Sequence, residues 1–348
     1  MKLRVAIAVE SRSEAEALRQ VVEEDPGREV AWQAPAAEAV ARCAARTPDI
    51  LLLGLAAPDV DGVEATRRIM TASPTTILIV TNPSSTDAGR VFDAMGSGAR
   101  DVVEAPRRGP NGELVGAAPL RAKLSLLARL ASPGPESAKP RGTSGAEPLA
   151  IAPLVAVGAS TGGPGAVSQL LSALPPDLAA AVVIVQHVDD TFAAGLAAWL
   201  EGQAGRPVRL AVTGDRPREG DVLLAGTSAH LVVSENGSLA YTPEPRESPY
   251  RPSIDAFLSS AARNWATPGV AVLLTGMGRD GAEGLLRCRT AGWHTIAQDE
   301  KTSVLYGMPR AAREIGAATA ILPLPEIAPA VAQRVREERA RRGAGRNR

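Results

Sequence analysis

The chain has 348 residues, with 38 basic and 38 acidic side chains and a formal net charge of zero. This length predicts two domains, and the balanced charge argues against a nucleic-acid-binding or membrane-surface protein. Hydrophobic residues make up 45% of the chain and aromatic residues only 3%, so we expect cores built mainly from Ala, Val, Leu and Ile.

The N-terminal segment MKLRVAIAVE has too short an apolar part for a signal peptide, and no apolar run reaches the length of a membrane span. We therefore expect a cytoplasmic protein without membrane insertion. The two cysteines, Cys43 and Cys288, lack metal-ligand spacing, so each is interpreted as a buried thiol in a reducing compartment. No cofactor and no metal site is predicted.

Short apolar runs alternate with helical patterns over the first 130 residues. The predicted strands are residues 3–9, 29–33, 50–55, 76–81 and 100–103, and the predicted helices are 13–24, 36–46, 62–72 and 86–96. Five strands that alternate with helices predict a parallel sheet covered on both faces.

A segment rich in Pro, Gly and Ser, without apolar periodicity, follows at residues 131–148. It predicts a flexible linker over 131–149 that separates a first domain, 1–130, from a second domain, 150–335. The arginine-rich residues 336–348 are interpreted as a solvated, frayed tail.

The alternation of strands and helices resumes in the second domain. The predicted strands are residues 154–157, 181–186, 208–211, 222–225, 231–234, 239–241, 269–275, 293–297 and 319–322, and the predicted helices are 164–173, 191–201, 253–264, 281–291 and 309–315. The Asn236-Gly237 pair favours a hairpin with a type I′ turn. The pattern predicts an α/β fold, a mostly parallel, doubly wound sheet with one antiparallel hairpin.

The first of these strands ends in the motif Gly158-Ala159-Ser160-Thr161-Gly162, and Pro164 then opens a helix. A serine on a sharp strand-to-helix turn has an exposed hydroxyl, and the free N–H groups of the following helix can hold an oxyanion. Ser160 is therefore a candidate nucleophile. The alternative is that it only caps the helix.

A nucleophilic serine needs a base and an orienting acid. His187 follows the predicted strand 181–186, and Asp280 lies in a glycine-rich loop after the strand 269–275. Because the carboxyl ends of parallel strands meet at one edge of a sheet, Ser160, His187 and Asp280 can converge there. Each also has a structural alternative, since His187 can be a satisfied strand-end histidine and Asp280 with Glu283 fits a helix-capping pair.

Nucleotide binding is disfavoured because the segment 158–163 lacks the second glycine of the dinucleotide fingerprint and no P-loop lysine follows. His230 and His294 have no nearby ligand partners in the sequence, so they are interpreted as structural rather than metal-binding residues.

With these residues in view, the chain resembles the chemotaxis protein-glutamate methylesterase family, the CheB type. The segments that carry the resemblance are GASTGGPGAV at 158–167, IVQHV at 184–188, YRPSIDAF at 250–257, LLTGMGRDGAEGL at 273–285 and IAQDEKTSVLYGMPRAA at 296–312. The resemblance implies a Rossmann-like catalytic domain that hydrolyses glutamate methyl esters on the cytoplasmic domains of chemoreceptors and deamidates glutamines there.

By matching position, the resemblance makes Ser160 the nucleophile, His187 the general base and then acid, and Asp280 the orienting carboxylate. It also implies that Thr161 and Met277 line the oxyanion and substrate site, with Met277 offering its backbone N–H. The implied partners are methylated chemoreceptors and, at the N-terminal domain, a chemotaxis histidine kinase or another regulator.

Residues 1–130 fit the receiver domain that this family places ahead of the linker, a flavodoxin-like sheet of strand order 2-1-3-4-5. The phosphorylation chemistry is missing from it. Gly54 stands at the phosphoacceptor position, Glu10-Ser11 where the family has an acidic pair, and Ala105 where it has a lysine before Pro106. The hydroxyl position is kept as Thr81, and Asp61-Gly62 matches a loop feature of the family. A cluster this poor in carboxylates holds Mg²⁺ poorly, so we interpret the domain as a pseudo-receiver.

Three hypotheses remain open. The first is a serine hydrolase that acts on glutamate methyl esters of a protein, without control by receiver phosphorylation. The second is a generic hydrolase of small esters with the same three residues. The third is a non-catalytic interaction module, a description that suits residues 1–130 better than the second domain.

Overall fold

The computed structural model describes residues 2–55, 61–82, 88–109, 113–129, 152–248 and 250–345. The chain divides into two compact units, Met1–Arg141 and Gly142–Arg348. The predicted linker, 131–149, lies outside the described residues. The domain boundaries at 130, 149 and 335 stay predictions.

The first unit is a five-stranded parallel sheet with helices. Its elements are β1 (Leu3–Ala8), α1 (Arg12–Glu23), β2 (Arg28–Ala34), a 3-10 turn (Ala36–Glu38), α2 (Ala39–Ala45), β3 (Ile50–Gly54), α3 (Gly62–Ala72), β4 (Thr76–Thr81), α4 (Ala88–Gly96), β5 (Asp101–Glu104), β6 (Arg107–Arg108), β7 (Leu114–Val115) and α5 (Ala117–Arg129). The strand order is β2-β1-β3-β4-β5, and each neighbouring pair is parallel. The predicted order 2-1-3-4-5 is confirmed.

The sequence patterns missed three elements of this unit: the antiparallel pair β6 and β7 and the helix α5. Strands of two residues are too short to show alternation, which explains the omission of β6 and β7. The predicted helix 36–46 begins as a 3-10 turn and becomes α-helical only at Ala39.

The second unit contains a seven-stranded sheet. Its elements are β8 (Leu154–Ala159), α6 (Gly163–Ala173), β9 (Ala181–Gln186), α7 (Asp190–Ala204), β10 (Arg209–Leu210), β11 (Val222–Leu224), β12 (His230–Val233), β13 (Leu239–Thr242), α8 (Ile254–Asn264), β14 (Val270–Leu273), α9 (Ala282–Thr290), β15 (His294–Gln298), α10 (Met308–Glu314), β16 (Ala320–Leu322) and α11 (Leu324–Gly345). The order is β10-β11-β9-β8-β14-β15-β16, and each neighbouring pair is parallel. The predicted mostly parallel sheet is confirmed.

The hairpin of β12 and β13 is antiparallel, as predicted, but its turn differs from the expected type I′ turn. Gly237 N donates to Ser234 O at 2.9 Å, which places Glu235 and Asn236 at the centre of the turn. Gly237 follows with a φ of 77°. A turn followed by a left-handed glycine is the usual three-residue hairpin loop.

The arginine-rich segment, expected to be a frayed tail, is helical as far as Gly345 and forms the second half of α11. Ile327, Val331 and Val335 of α11 are buried. The i,i+3 ion pairs Arg334–Glu337 and Arg341–Glu338 then continue the helix beyond its buried part.

Apolar side chains from both faces of each sheet form the cores. Cys43 and Cys288 are free and fully buried, as predicted, and burial raises the pKa of the Cys43 thiol to about 11. None of the helices in the described ranges combines the length and the apolar character that crossing a membrane needs.

Candidate active site

The candidate site lies at the carboxyl ends of three neighbouring strands, β9, β8 and β14. In the sheet, β9 lies on one side of β8 and β14 lies on its other side. Such a switch point opens a crevice beyond the carboxyl ends of the strands. Ser160, His187 and Asp280 each follow one of these three strands, so the topology brings together residues that are far apart in sequence.

Ser160 sits in the turn between β8 and α6. Its N–H donates to Thr275 O at 3.0 Å, and its carbonyl accepts from Gly163 N at 2.7 Å. Gly162 takes a φ of 76° before the helix, and a Cβ at position 162 would lie 2.5 Å from the Val304 Cβ. Conformation and space therefore both require glycine at position 162. The prediction of a sharp strand-to-helix turn at Ser160 is correct.

His187 joins the serine to the aspartate through its two ring nitrogens. Nδ1 lies 3.1 Å from Ser160 Oγ, and Nε2 lies 2.7 Å from Asp280 Oδ2. The side chains of His187 and Asp280 are only 13% and 3% exposed. The structure thus brings the three sequence-predicted residues into one hydrogen-bonded chain.

Asp280 is held by the N-terminus of α8. Oδ2 accepts from Ile254 N at 2.7 Å, and Oδ1 accepts from Asp255 N at 3.1 Å and from Ser253 Oγ at 2.9 Å. Burial alone would raise the pKa of Asp280, but the hydrogen bond and charge of His187 and the two N–H donors hold this pKa below its ordinary value. Asp280 is therefore an ionised carboxylate beside the imidazole.

The alternative that Asp280 and Glu283 form a capping pair for the next helix is wrong. Gly281 is the N-cap of α9, and the N–H of Gly284 in α9 donates to Asp255 Oδ1 at 2.6 Å. The Asp280 carboxylate turns to α8 instead, because His187 and the first N–H groups of α8 supply its donors.

Two further residues shape the site and were not singled out from the sequence. The Tyr250 ring is stacked on the His187 ring, with centroids 4.8 Å apart and an interplanar angle of 7°. Ser253, the N-cap of α8, also bonds Asp280. A serine directly before a predicted helix is a recognisable cap, but its second bond depends on long-range packing.

Thr161 and Met277 flank the nucleophile and are buried. The loop that carries Met277 reaches Ser160, since a Cβ on the preceding Gly276 would lie 2.7 Å from the Ser160 Cβ. Among the residues that the structure describes, no acceptor is bonded to the backbone N–H of Thr161 or Met277.

The two other histidines have structural partners. His230 Nδ1 accepts from Ser253 N at 2.9 Å, and its Nε2 lies 3.1 Å from Pro245 O. His294 Nδ1 lies 3.3 Å from Thr319 Oγ1. In the described ranges, no group of three or more His, Cys, Asp or Glu side chains is arranged to hold a metal ion.

In the first unit, Gly54 is the last residue of β3, and a Cβ there would lie 3.3 Å from Val9 Cγ1. Glu10 Oε1 accepts from Ala36 N at 2.9 Å. Asp61 caps α3 and pairs with Arg90 at 3.0 Å. These carboxylates are engaged in the local fold, and Asp59 lies outside the described residues.

Comparison with known proteins identifies both units. Residues 155–331 match the CheB methylesterase family model, and residues 5–110 match the response regulator receiver domain. The chain is 49% identical to protein-glutamate methylesterase/protein-glutamine glutaminase 4 of Burkholderia thailandensis, over 94% of this chain and 96% of that protein. It is 50% identical to protein-glutamate methylesterase/protein-glutamine glutaminase 1 of Pseudomonas fluorescens, over 94% of this chain and 98% of that one.

The crystal structure of the Thermotoga maritima CheB methylesterase catalytic domain is also similar. It is 31% identical, with a TM-score of 0.50, and the match covers 53% of this chain and 99% of that domain. The chain is therefore a hydrolase that belongs to the CheB methylesterase family, with a response regulator receiver domain in its N-terminal part.

Proposed function

We propose that this protein removes methyl groups from glutamate methyl esters, and deamidates glutamines, on the cytoplasmic domains of chemoreceptors. In this proposal Ser160 is the nucleophile, His187 the general base and acid, and Asp280 the orienting carboxylate. The hydrogen-bonded chain from Ser160 Oγ through His187 to Asp280 is the observation that carries it. The relatives named protein-glutamate methylesterase/protein-glutamine glutaminase support the substrate class.

The first half of the reaction makes an ester of Ser160. Ser160 Oγ adds to the ester carbonyl carbon while its proton moves to His187 Nδ1. The N–H groups of Thr161 and Met277 donate to the oxygen that becomes negative. The bond to the methoxy group then breaks, His187 returns the proton to that oxygen, and methanol leaves.

The second half restores the enzyme. A water molecule gives a proton to His187 Nδ1 and adds to the glutamyl carbonyl carbon. The bond to Ser160 Oγ breaks, and His187 returns the proton to Oγ, which leaves a glutamate carboxyl group on the substrate. With glutamine, ammonia leaves in place of methanol. Asp280 stays ionised throughout and stabilises the imidazolium.

The test is methanol release from methylated receptor by the full-length protein. Ser160→Ala should abolish it, and His187→Ala should lose a comparable share, on the order of 10⁴-fold or more in turnover. Ser172→Ala is the matched control, because this serine is exposed on α6. Near-normal methanol release by a folded Ser160→Ala protein would contradict the catalytic assignment. Turnover of a short-chain aryl ester, with none of methylated receptor, would indicate a small-ester hydrolase instead.

We also propose that phosphorylation of the receiver domain does not control this activity. Gly54 has no side chain that can accept a phosphoryl group, and Ala105 has no cation to pair with one. The activity is then fixed by domain packing or by a binding partner of the N-terminal domain, such as a chemotaxis histidine kinase or another regulator.

A further inference from the structure

Gln186 is the last residue of β9 and lies directly before His187. The residue is 2% exposed. Nε2 donates to Ser160 O at 2.8 Å and to His187 O at 3.1 Å. One buried amide group therefore contacts the main chain of both the nucleophile and the base.

The position of this amide matters because the sheet ends here. The register pairs Gln186 with Ala159, and the last backbone bond between the two segments runs from His187 N to Ala159 O at 3.0 Å. Beyond this bond, β8 is followed by the turn into α6 and β9 leads into α7, so the two segments separate. The Gln186 amide spans that separation and replaces the ladder bond that the sheet can no longer make.

The surroundings of the amide oxygen, Oε1, show that Gln186 acts through its N–H donors. Oε1 is buried and, within the described part of the chain, has no hydrogen-bond partner. It faces Gly163, where a Cβ would overlap it. Turning the amide over would place Oε1 against two carbonyl oxygens. We infer that the residue is glutamine because its amide supplies two N–H donors at this point. The cost is that Oε1 remains a buried acceptor without a hydrogen bond.

We propose that Gln186 is a positioning residue that sets the separation between Ser160 and His187. The Asp280 side of the imidazole is fixed independently by the N-terminus of α8. On the serine side, the described hydrogen bonds that link residue 160 to residues 186–187 are the Gln186 bond to Ser160 O and the reacting bond itself. Loss of the amide would therefore loosen the nucleophile relative to the base. A misplacement of about 1 Å costs on the order of 10²-fold in rate.

This inference rests on the proposed roles of Ser160 and His187, and the test distinguishes a failure of the inference from a failure of those roles. Gln186→Met has a similar length without hydrogen bonds, and Gln186→Asn keeps the amide on a shorter side chain. Gln203→Met is the matched control, because Gln203 is exposed on α7. Four quantities are measured in the full-length protein. They are kcat and KM for methanol release, the rate of Ser160 labelling by a fluorophosphonate, and the low-field proton resonance of the His187–Asp280 hydrogen bond.

Both Gln186 variants should lower kcat and the labelling rate by about 10²-fold. KM should change by no more than a few-fold, and the His187–Asp280 resonance should persist. The proposal is overturned if kcat stays within a few-fold of the wild-type value, or if the resonance disappears along with the activity, since that pattern indicates general disruption of the site. An active Ser160→Ala protein would instead refute the proposed nucleophile.

Discussion

The imidazole ring of His187 is oriented with Nε2 toward Asp280 and Nδ1 toward Ser160. In the serine proteases the two nitrogens have the opposite assignment. In the proposed mechanism the chemistry is the same: an ionised Asp280 keeps the proton on Nε2 and leaves the lone pair of Nδ1 for the serine proton.

Asp280→Asn should therefore lower kcat by about 10⁴-fold. The amide NH₂ of asparagine would donate to Nε2, which moves the ring proton to Nδ1 and removes the base. The measurement is kcat for methanol release, with circular dichroism as the control for folding. A loss of less than about tenfold in a folded protein would show that the tautomer is set by another group.

Asp255 makes the local electrostatics dependent on pH. Burial and the neighbouring charge of Asp280 raise the pKa of Asp255 from 3.8 to about 7. Asp255 also lines a groove of about 660 Å³ together with Arg263, Arg279, Glu283 and Arg287. In the unfolded chain Asp255 loses its proton at a lower pH than in the folded protein, so its ionisation reduces the free energy of unfolding as the pH rises from about 4 to 7.

Asp255→Asn should remove the decrease in the free energy of unfolding that ionisation of Asp255 causes, and it keeps an oxygen acceptor for Gly284 N. Relative to wild type, the variant should become more stable between pH 4 and pH 8, as measured by urea denaturation at each pH. Asp280 has the opposite sign: its lowered pKa contributes stability that is lost at acid pH, in the variant as in wild type. A difference between the two proteins that does not change with pH would contradict the raised pKa of Asp255.

At the scale of elements, the site depends on how closely α8 approaches the sheet. The first turn of α8 supplies two N–H donors to Asp280, and Ile254 of this turn packs against Gly158 of β8. A Cβ at position 158 would overlap Ile254 and lie 3.2 Å from Leu273 Cδ1. The absence of a side chain at Gly158 is thus what lets the helix reach the aspartate.

Gly158→Ala should destabilise the second unit by about 1–3 kcal/mol, the usual cost of overpacking a core. It should also lower kcat, because a displaced α8 moves Asp280 and His187 with it. Urea denaturation and methanol release measure the two effects. The matched control is Gly165→Ala on α6, where a Cβ meets nothing within 4 Å. Equal stability and activity in the two variants would show that α8 tolerates the extra methyl group.

At the scale of the whole molecule, the chain joins a receiver domain to a hydrolase domain, and we interpret Gly54 as the residue at the phosphoacceptor position of this receiver. A receiver that cannot be phosphorylated keeps the same charge. It therefore provides no free-energy difference that could shift the equilibrium between two states of the protein. The proposed regulation therefore depends on domain packing or on a binding partner rather than on phosphorylation.

Acetyl phosphate with Mg²⁺ should leave the rate of methanol release by the full-length protein unchanged, and no phosphate should be retained on residues 1–141. Radiolabelled phosphate uptake and the methanol assay check both points. A hydroxylamine-sensitive phosphate on this unit, or a higher esterase rate, would contradict the pseudo-receiver interpretation. Asp59 would then be the first residue to replace.

Much of this architecture is determined locally and can be predicted from the sequence. The bounds of β4 and α3 were predicted to the residue, because an apolar run and a capped amphipathic helix each have clear ends. The convergence of Ser160, His187 and Asp280 was also predictable, since parallel strands present their carboxyl ends at one edge of the sheet.

Only the tertiary structure decided how these residues are held. His187 and Asp280 are 93 positions apart, and no local pattern states which ring nitrogen faces which partner. The capping of α8 by Asp280, the stacking of Tyr250 on His187 and the bonds of the Gln186 amide likewise join segments that meet only after the sheet has formed. Periodicity reports which face of an element is buried, whereas the partners of a buried polar group depend on which elements pack against it.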